Sequence, residues 1–325
     1  AASDVYKRQG YYYMTRGNFG MKVKSKLDIL NRILAVILVC VFVALILVVN
    51  LYRTESKIVE SADGGAEENV ITIDEFVAGT YGGKEFATME DVVNYYVECY
   101  NHTKTLTASY NENGETKTYY KLVGEEYLTV ENVLVEGQSN SMIDGLVPTI
   151  VGQLFSGNVI GLPPSDNRDP NLDKNDTYDF TTSMLTVDDV EACNVVDNGD
   201  GTITITIQPK GVLLSSKGAD SQGKFFNTLG DITSTVESIS MLSFSSGSIN
   251  DNFVVDYNGG SGSIKIDVAS GEIVEADYTM NVHIDVSHAN VSVLKDKSAS
   301  LDVVYKNHFP ASDEYLLKTK NITKA

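Results

Sequence analysis

Residues 33–49, ILAVILVCVFVALILVV, form an uninterrupted apolar run in which the Cys40 thiol is the one side chain with any polar character. Leu51 and Tyr52 prolong the run beyond Asn50. A helix of about 20 apolar residues, rising ~1.5 Å per residue, crosses a bilayer core, whereas the apolar part of a cleavable signal peptide runs to about 7–15 residues. The residues that follow, Val49-Asn50-Leu51-Tyr52-Arg53, offer no small-x-small cleavage site. An uncleaved transmembrane helix over residues 33–52 is therefore expected. Cys40 does not read as a lipid-attachment cysteine, because Val39 precedes it and nine more apolar residues follow it.

The flanking charges orient this span. Lys22, Lys24, Lys26 and Arg32 stand before it against Asp28, while Glu55, Glu60, Asp63, Glu67 and Glu68 follow it against Arg53 and Lys57. Positive charge stays on the cytoplasmic side. The amino terminus is thus expected inside, as a short basic tail over residues 21–32 that starts at Met21. Residues 1–20 read as an adapter-derived or non-native leader, because AASDVYKRQ looks like a translated sequencing adapter. Residues 53–69, acidic and holding Gly64-Gly65, read as a flexible spacer. An extracytoplasmic domain over residues 70–310 and a polar tail over residues 311–325 complete the expected layout.

From residue 54 onward the chain carries 17 Lys and Arg against 42 Asp and Glu, a net charge of −25. Such a surface excludes nucleic acid as a partner. It also disfavours anionic headgroups and polyanionic wall polymers, unless a local cation intervenes. Cys99 and Cys193 are the two cysteines of this part. An oxidising compartment would permit one disulfide, yet a helix and a strand position suit two buried thiols equally well.

Periodicity predicts an α+β fold, a curved antiparallel sheet packed on two or three amphipathic helices. In TMEDVVNYYVECYN, Thr88 and Asp91 have capping-box spacing, and Met89, Val92, Val93, Tyr96, Val97 and Tyr100 fall on one face. TLTASY and TKTYYKLV flank a turn at residues 111–114, and EYLTVENVLVE gives a further strand. SMIDGLVPTIVGQLFSG reads as a kinked helix or two short ones, because Gly145 and Pro148 interrupt it. DVEACNVVDNGDGTITITIQP reads as a hairpin turned at residues 198–201. Residues 224–240 place Phe225, Phe226, Leu229, Ile232, Val236 and Ile239 on one helical stripe. Residues 251–309 then read as four strands, with turns at 259–262 and at Ser270-Gly271. LTVENV at Leu128 and LTVDDV at Leu185 are a faint internal echo that would mark a duplicated half.

The pieces LTVDDVEACNVVDNGDGTITITI and NFVVDYNGGSGSIKIDVASGEIVEADYTMNVHIDV resemble a group of membrane-anchored exported proteins of gut Firmicutes over roughly residues 85–310. The resemblance implies a Gram-positive cell surface and brings no activity and no catalytic residue. The layout of helix and curled sheet is also similar to LolA-like half-barrels that carry lipid, as an analogy of architecture.

In DPNLDKNDTYDF, Asp169, Asn171, Asp173 and Asn175 alternate as oxygen ligands do in a calcium loop. The pattern departs from an EF-hand at Lys174, where glycine should turn the chain, and at Phe180, where a glutamate should close the shell. His102, His283, His288 and His308 are too scattered to form a metal site, and the odd spacing of His283 and His288 puts them on opposite faces of a regular strand. No nucleophile elbow, H-E-x-x-H, Walker loop or dinucleotide fingerprint is complete. The expected function is a membrane-tethered extracytoplasmic binding domain that takes an apolar or lipid-like ligand between the sheet and the helix at 224–240. Its pocket would be lined by Phe225, Phe226, Leu229, Ile232 and Val236. The alternatives are a surface module contacting a protein or the wall through its acidic face or through Tyr119 and Tyr120, and an exported enzyme with an unrecognised site.

Overall fold

The computed structural model describes residues 71–155, 161–230, 232–240, 242–291, 293–310 and 323–324. The expectations for residues 1–70, the membrane span among them, and for residues 311–322 lie outside the described residues. Among the described residues no helix is long and apolar enough to cross a membrane.

The described chain is α+β, mostly antiparallel sheet with few helices. A small hairpin of β1 (Gly79–Tyr81) and β2 (Lys84–Phe86) leads into helix α1 (Met89–Thr105). The predicted capping box is present: the Thr88 side chain accepts from the Asp91 backbone, and the Asp91 carboxylate accepts from the Thr88 backbone. Strands β3 (Thr107–Glu112) and β4 (Glu115–Tyr120) pair with β13 (Thr323–Lys324) in a separate three-stranded sheet. The main sheet has eight strands. Its path runs from β5 (Glu125–Val135) through β12 (Leu294–Phe309), β11 (Glu272–Val291), β10 (Phe253–Asp267) and β7 (Thr202–Pro209) to β6 (Val190–Asp197). The short β8 (Val212–Leu213) pairs with β10, and the short β9 (Leu242–Phe244) with β11. The β6–β7 hairpin turns where expected, with Ile203, Ile205 and Ile207 fully buried.

One face of this sheet carries the core. Along β11 the inward positions Tyr278, Met280, Val282, Ile284 and Val286 are all buried, the signature of period-two alternation over a long strand. Helix α1 covers the end near Tyr278, where the Tyr96 and Tyr278 hydroxyls lie 3.2 Å apart. Helices α2 (Ser141–Asp144) and α3 (Val147–Leu154) cover the other end. They are the two short pieces that Gly145 and Pro148 foretold, with Pro148 in the first turn of α3, where its missing N–H costs nothing.

Four local expectations change. Residues 259–262 are not a turn: β10 runs straight through them, so residues 251–309 hold three long strands instead of four. The glycines form a bulge, with a register shift between Asp256 and Gly259, and they permit close packing. Gly260 has φ +106°, and a Cβ there would meet the Thr279 carbonyl at 2.2 Å; one on Gly262 would meet the Phe225 ring at 2.6 Å. Residues 224–240 are not one helix; only α4 (Thr233–Ser238) is helical. Asp220 accepts from Ser215, Ser216 and Gly223 and pins the preceding segment as a loop, and Gly230 takes φ +67°. The echo is not a duplication, since residues 128–133 lie inside β5 whereas residues 187–189 form a 3₁₀ turn before β6. Tyr119 and Tyr120 do not face outward; both are buried with Tyr110 and Val123 in a small second core. Cys99 and Cys193 are both buried and both free thiols, and burial pushes each up to about 11.

Candidate functional site

Helices α2 and α3 are too short to fill the space over their end of the sheet. An apolar cleft lies beneath them, and among the described residues that line it Lys297 is the one that is not apolar. Ile143, Val147 and Val151 form the roof, and Phe253, Ile284 and Leu301 the floor. Helix α5 (Ile249–Asn252) stands at the start of β10, just ahead of Phe253. The cleft is open on one side and its volume is about 70 Å³. That is below the roughly 150 Å³ that lets an engineered apolar cavity take up benzene. The site is thus a shallow apolar groove that would have to widen to take up an alkyl chain.

None of Phe225, Phe226, Leu229, Ile232 and Val236 lines this cleft. Phe225 and Phe226 are 0% and 2% exposed. Phe225 meets the rings of Tyr96, Phe226 and Tyr278 at centroid distances of 5.7, 4.9 and 5.3 Å. They are packed core.

The loop proposed for calcium is organised around other bonds. Asp169 accepts from the backbone and side chain of Asn171, and Asn175 from the backbones of Thr177 and Tyr178, so both are turn formers. Asp173 is fully buried and pairs with the Lys104 ammonium at 3.1 Å. It also accepts from Ser165 Oγ at 2.9 Å, Asp166 N at 2.6 Å and Tyr120 Oη at 3.4 Å. Burial pushes Lys104 down to about 8, and Asp173 keeps it from falling further. This pair ties the long loop to α1 and to the hairpin. Among the described residues no group of three His, Cys, Asp or Glu is placed to hold a metal.

The outer face of β11 and β12 carries three cross-strand pairs through Nδ1: His283 with Asp302 at 2.7 Å, His288 with Asp296 at 2.8 Å, and His308 with Asp277 at 2.6 Å. His283 and His288 share this face despite their odd spacing, because a bulge between Val286 and Ala289, with φ +51° at His288, resets the alternation. Desolvation lowers the His283 pKa, but the hydrogen bond that its ring donates to Asp302 and the charge of Asp285 outweigh it, so the net direction is up. A raised folded value means that the pair stabilises fully below the unfolded value of ~6.5 and loses that contribution as pH rises through the folded value. His283 is 35% exposed, which limits the gain to under about 1 kcal/mol. Thermal melts should find His283→Gln less stable than the wild type at pH 5.5 and nearly equal to it at pH 8.5.

Sequence reading missed the cleft because its walls come from β5, α2, α3, β9, β10, β11 and β12. The available signal was the apolar stripe Ile143, Val147, Val151 in a segment too broken to cover a sheet. Compared with known proteins, the chain matches no family model, no curated protein and no solved structure.

Proposed function

We propose that this chain is a binding protein that holds one apolar chain in the cleft beneath α2 and α3, tethered to the membrane by residues 33–52 with its domain outside the cytoplasm. The cleft carries this reading: a groove lined mostly by aliphatic side chains, with one cation among the described residues, has the chemistry to take up an alkyl segment. Burying each methylene would contribute ~0.8 kcal/mol, so a slender chain gains affinity in proportion to the length it inserts. The apolar run and its flanking charges support the tether. A domain held beside a bilayer is well placed to receive such a ligand.

Native mass spectrometry of the purified full chain, released from detergent, tests the reading. The wild type should carry a bound mass of lipid size. Ala299→Trp places an indole in the cleft at a half-buried position and should lose that mass, with a melting temperature within a few degrees of wild type. Equal occupancy of both proteins would sink the cleft as the site.

A further inference from the structure

Lys297 is out of place on the sheet. Leu301 and Val303 of β12 point into the core, so counting back by twos puts Ala299 and then Lys297 on the inward face. A bulge just before it in the chain brings Leu294 to the same face. Pairing with β11 shifts between Ala289, opposite Lys297, and Val291, opposite Leu294, and Asp296 takes φ +52°. Leu294 and Lys297, three residues apart, therefore both line the cleft.

Among the described residues Lys297 takes part in no ion pair. The Asp296 carboxylate next to it feels the Lys297 charge, but its hydrogen bonds go to other groups. Asp296 accepts from Ser245 Oγ and His288 Nδ1, and Glu136 accepts from the Ser298 backbone. In a domain of net charge −25, a lysine without an ion pair beside an apolar groove is a local exception to the field that repels anions.

Resting on the apolar-chain reading above, we propose that the ligand is a single-chain carboxylate amphiphile of the fatty-acid class, its alkyl chain in the cleft and its carboxylate paired with Lys297. One cation matches one negative charge, and a cleft of about 70 Å³ has room for part of one alkyl chain and not for the two of a diacyl lipid. The carboxylate would replace water at the lysine with a charge-assisted hydrogen bond, while the lysine stem lies along the apolar wall.

Three probes with the same dodecyl chain and a diazirine near its far end separate the possibilities: the carboxylate, the alcohol and the trimethylammonium. Each is photo-crosslinked to the full chain in phosphatidylcholine nanodiscs, and labelled peptides are read by mass spectrometry. The carboxylate should label the segments around Val151 and Leu301 about tenfold more than the ammonium does, and Lys297→Met should bring the two yields together. Lys297→Glu should reverse the order. Equal labelling by all three probes, unchanged in Lys297→Met, would overturn the carboxylate assignment and leave the apolar cleft standing. No labelling of those segments by any probe would overturn both. Lys297 is half-buried beside a hairpin tip, and matched melting temperatures for the variants show that any change in yield is not unfolding.

Discussion

Asp173→Ala is expected to destabilise the domain by about 3–5 kcal/mol, the range found when one partner of a buried ion pair is removed. Lys104 and Asp173 are 1% and 0% exposed, so neither charge can recover hydration without opening the loop. The two partners are not equivalent. Asp173 has three donors besides Lys104, whereas the Lys104 ammonium has Asp173 and the faces of Tyr120 and Tyr100 at 4.3 and 5.4 Å. Lys104→Met should therefore cost less than Asp173→Ala, because it leaves a carboxylate still hydrogen-bonded. The loss in Asp173→Ala should also depend on pH. Without its partner the buried lysine ionises less readily than in the unfolded chain, so its folded pKa falls further below the unfolded ~10.4. A depressed folded value means that the unfolded state binds more protons, and stability rises with pH across that window. Urea unfolding at pH 6 and pH 9.5 should show the Asp173→Ala deficit narrowing at the higher pH. A deficit under about 1 kcal/mol at both pH values would mean that the pair is not buried as described.

Those two residues also show where sequence reading ends. Asp173 looked like a metal ligand because alternating oxygens are what a calcium loop and a run of Asx turns have in common. Its real partner, Lys104, lies on a helix 69 residues away, and no local pattern announces that contact. Local rules did hold where local physics decides: the Thr88 capping box, the break at Gly145 and Pro148, and the alternating isoleucines of β7 all stand as periodicity implied. They failed at glycines. Gly259 to Gly262 read as a turn because glycine is the usual turn residue, yet here it is needed for close approach inside a strand. The stripe at 224–240 looked helical throughout because six apolar side chains had helical spacing, but Phe225, Phe226 and Leu229 lie in a loop and only the stretch around Val236 is helix. The cleft was illegible for a related reason: a groove is a property of what fails to fill a space, and no single segment records it.

Phe225→Ala should cost about 3–5 kcal/mol, the range for removing a fully buried phenyl ring, and Gly262→Ala should then recover part of it. The ring of Phe225 occupies the space that a side chain on Gly262 would need: a Cβ there would lie 2.6 Å from the ring and 3.0 Å from Tyr278. In the wild type, Gly262→Ala must therefore push a packed aromatic cluster aside and is expected to destabilise by about 1–3 kcal/mol. In the Phe225→Ala background the same methyl enters a cavity, replaces lost contacts and removes a glycine from a strand interior. The two changes should be non-additive, with the double variant more stable than Phe225→Ala alone. A double-mutant cycle by urea unfolding measures this directly. Simple additivity would mean that Phe225 does not sit over Gly262. Compensation would establish that Gly262 is the socket for this ring, which is why a glycine stands inside a long strand.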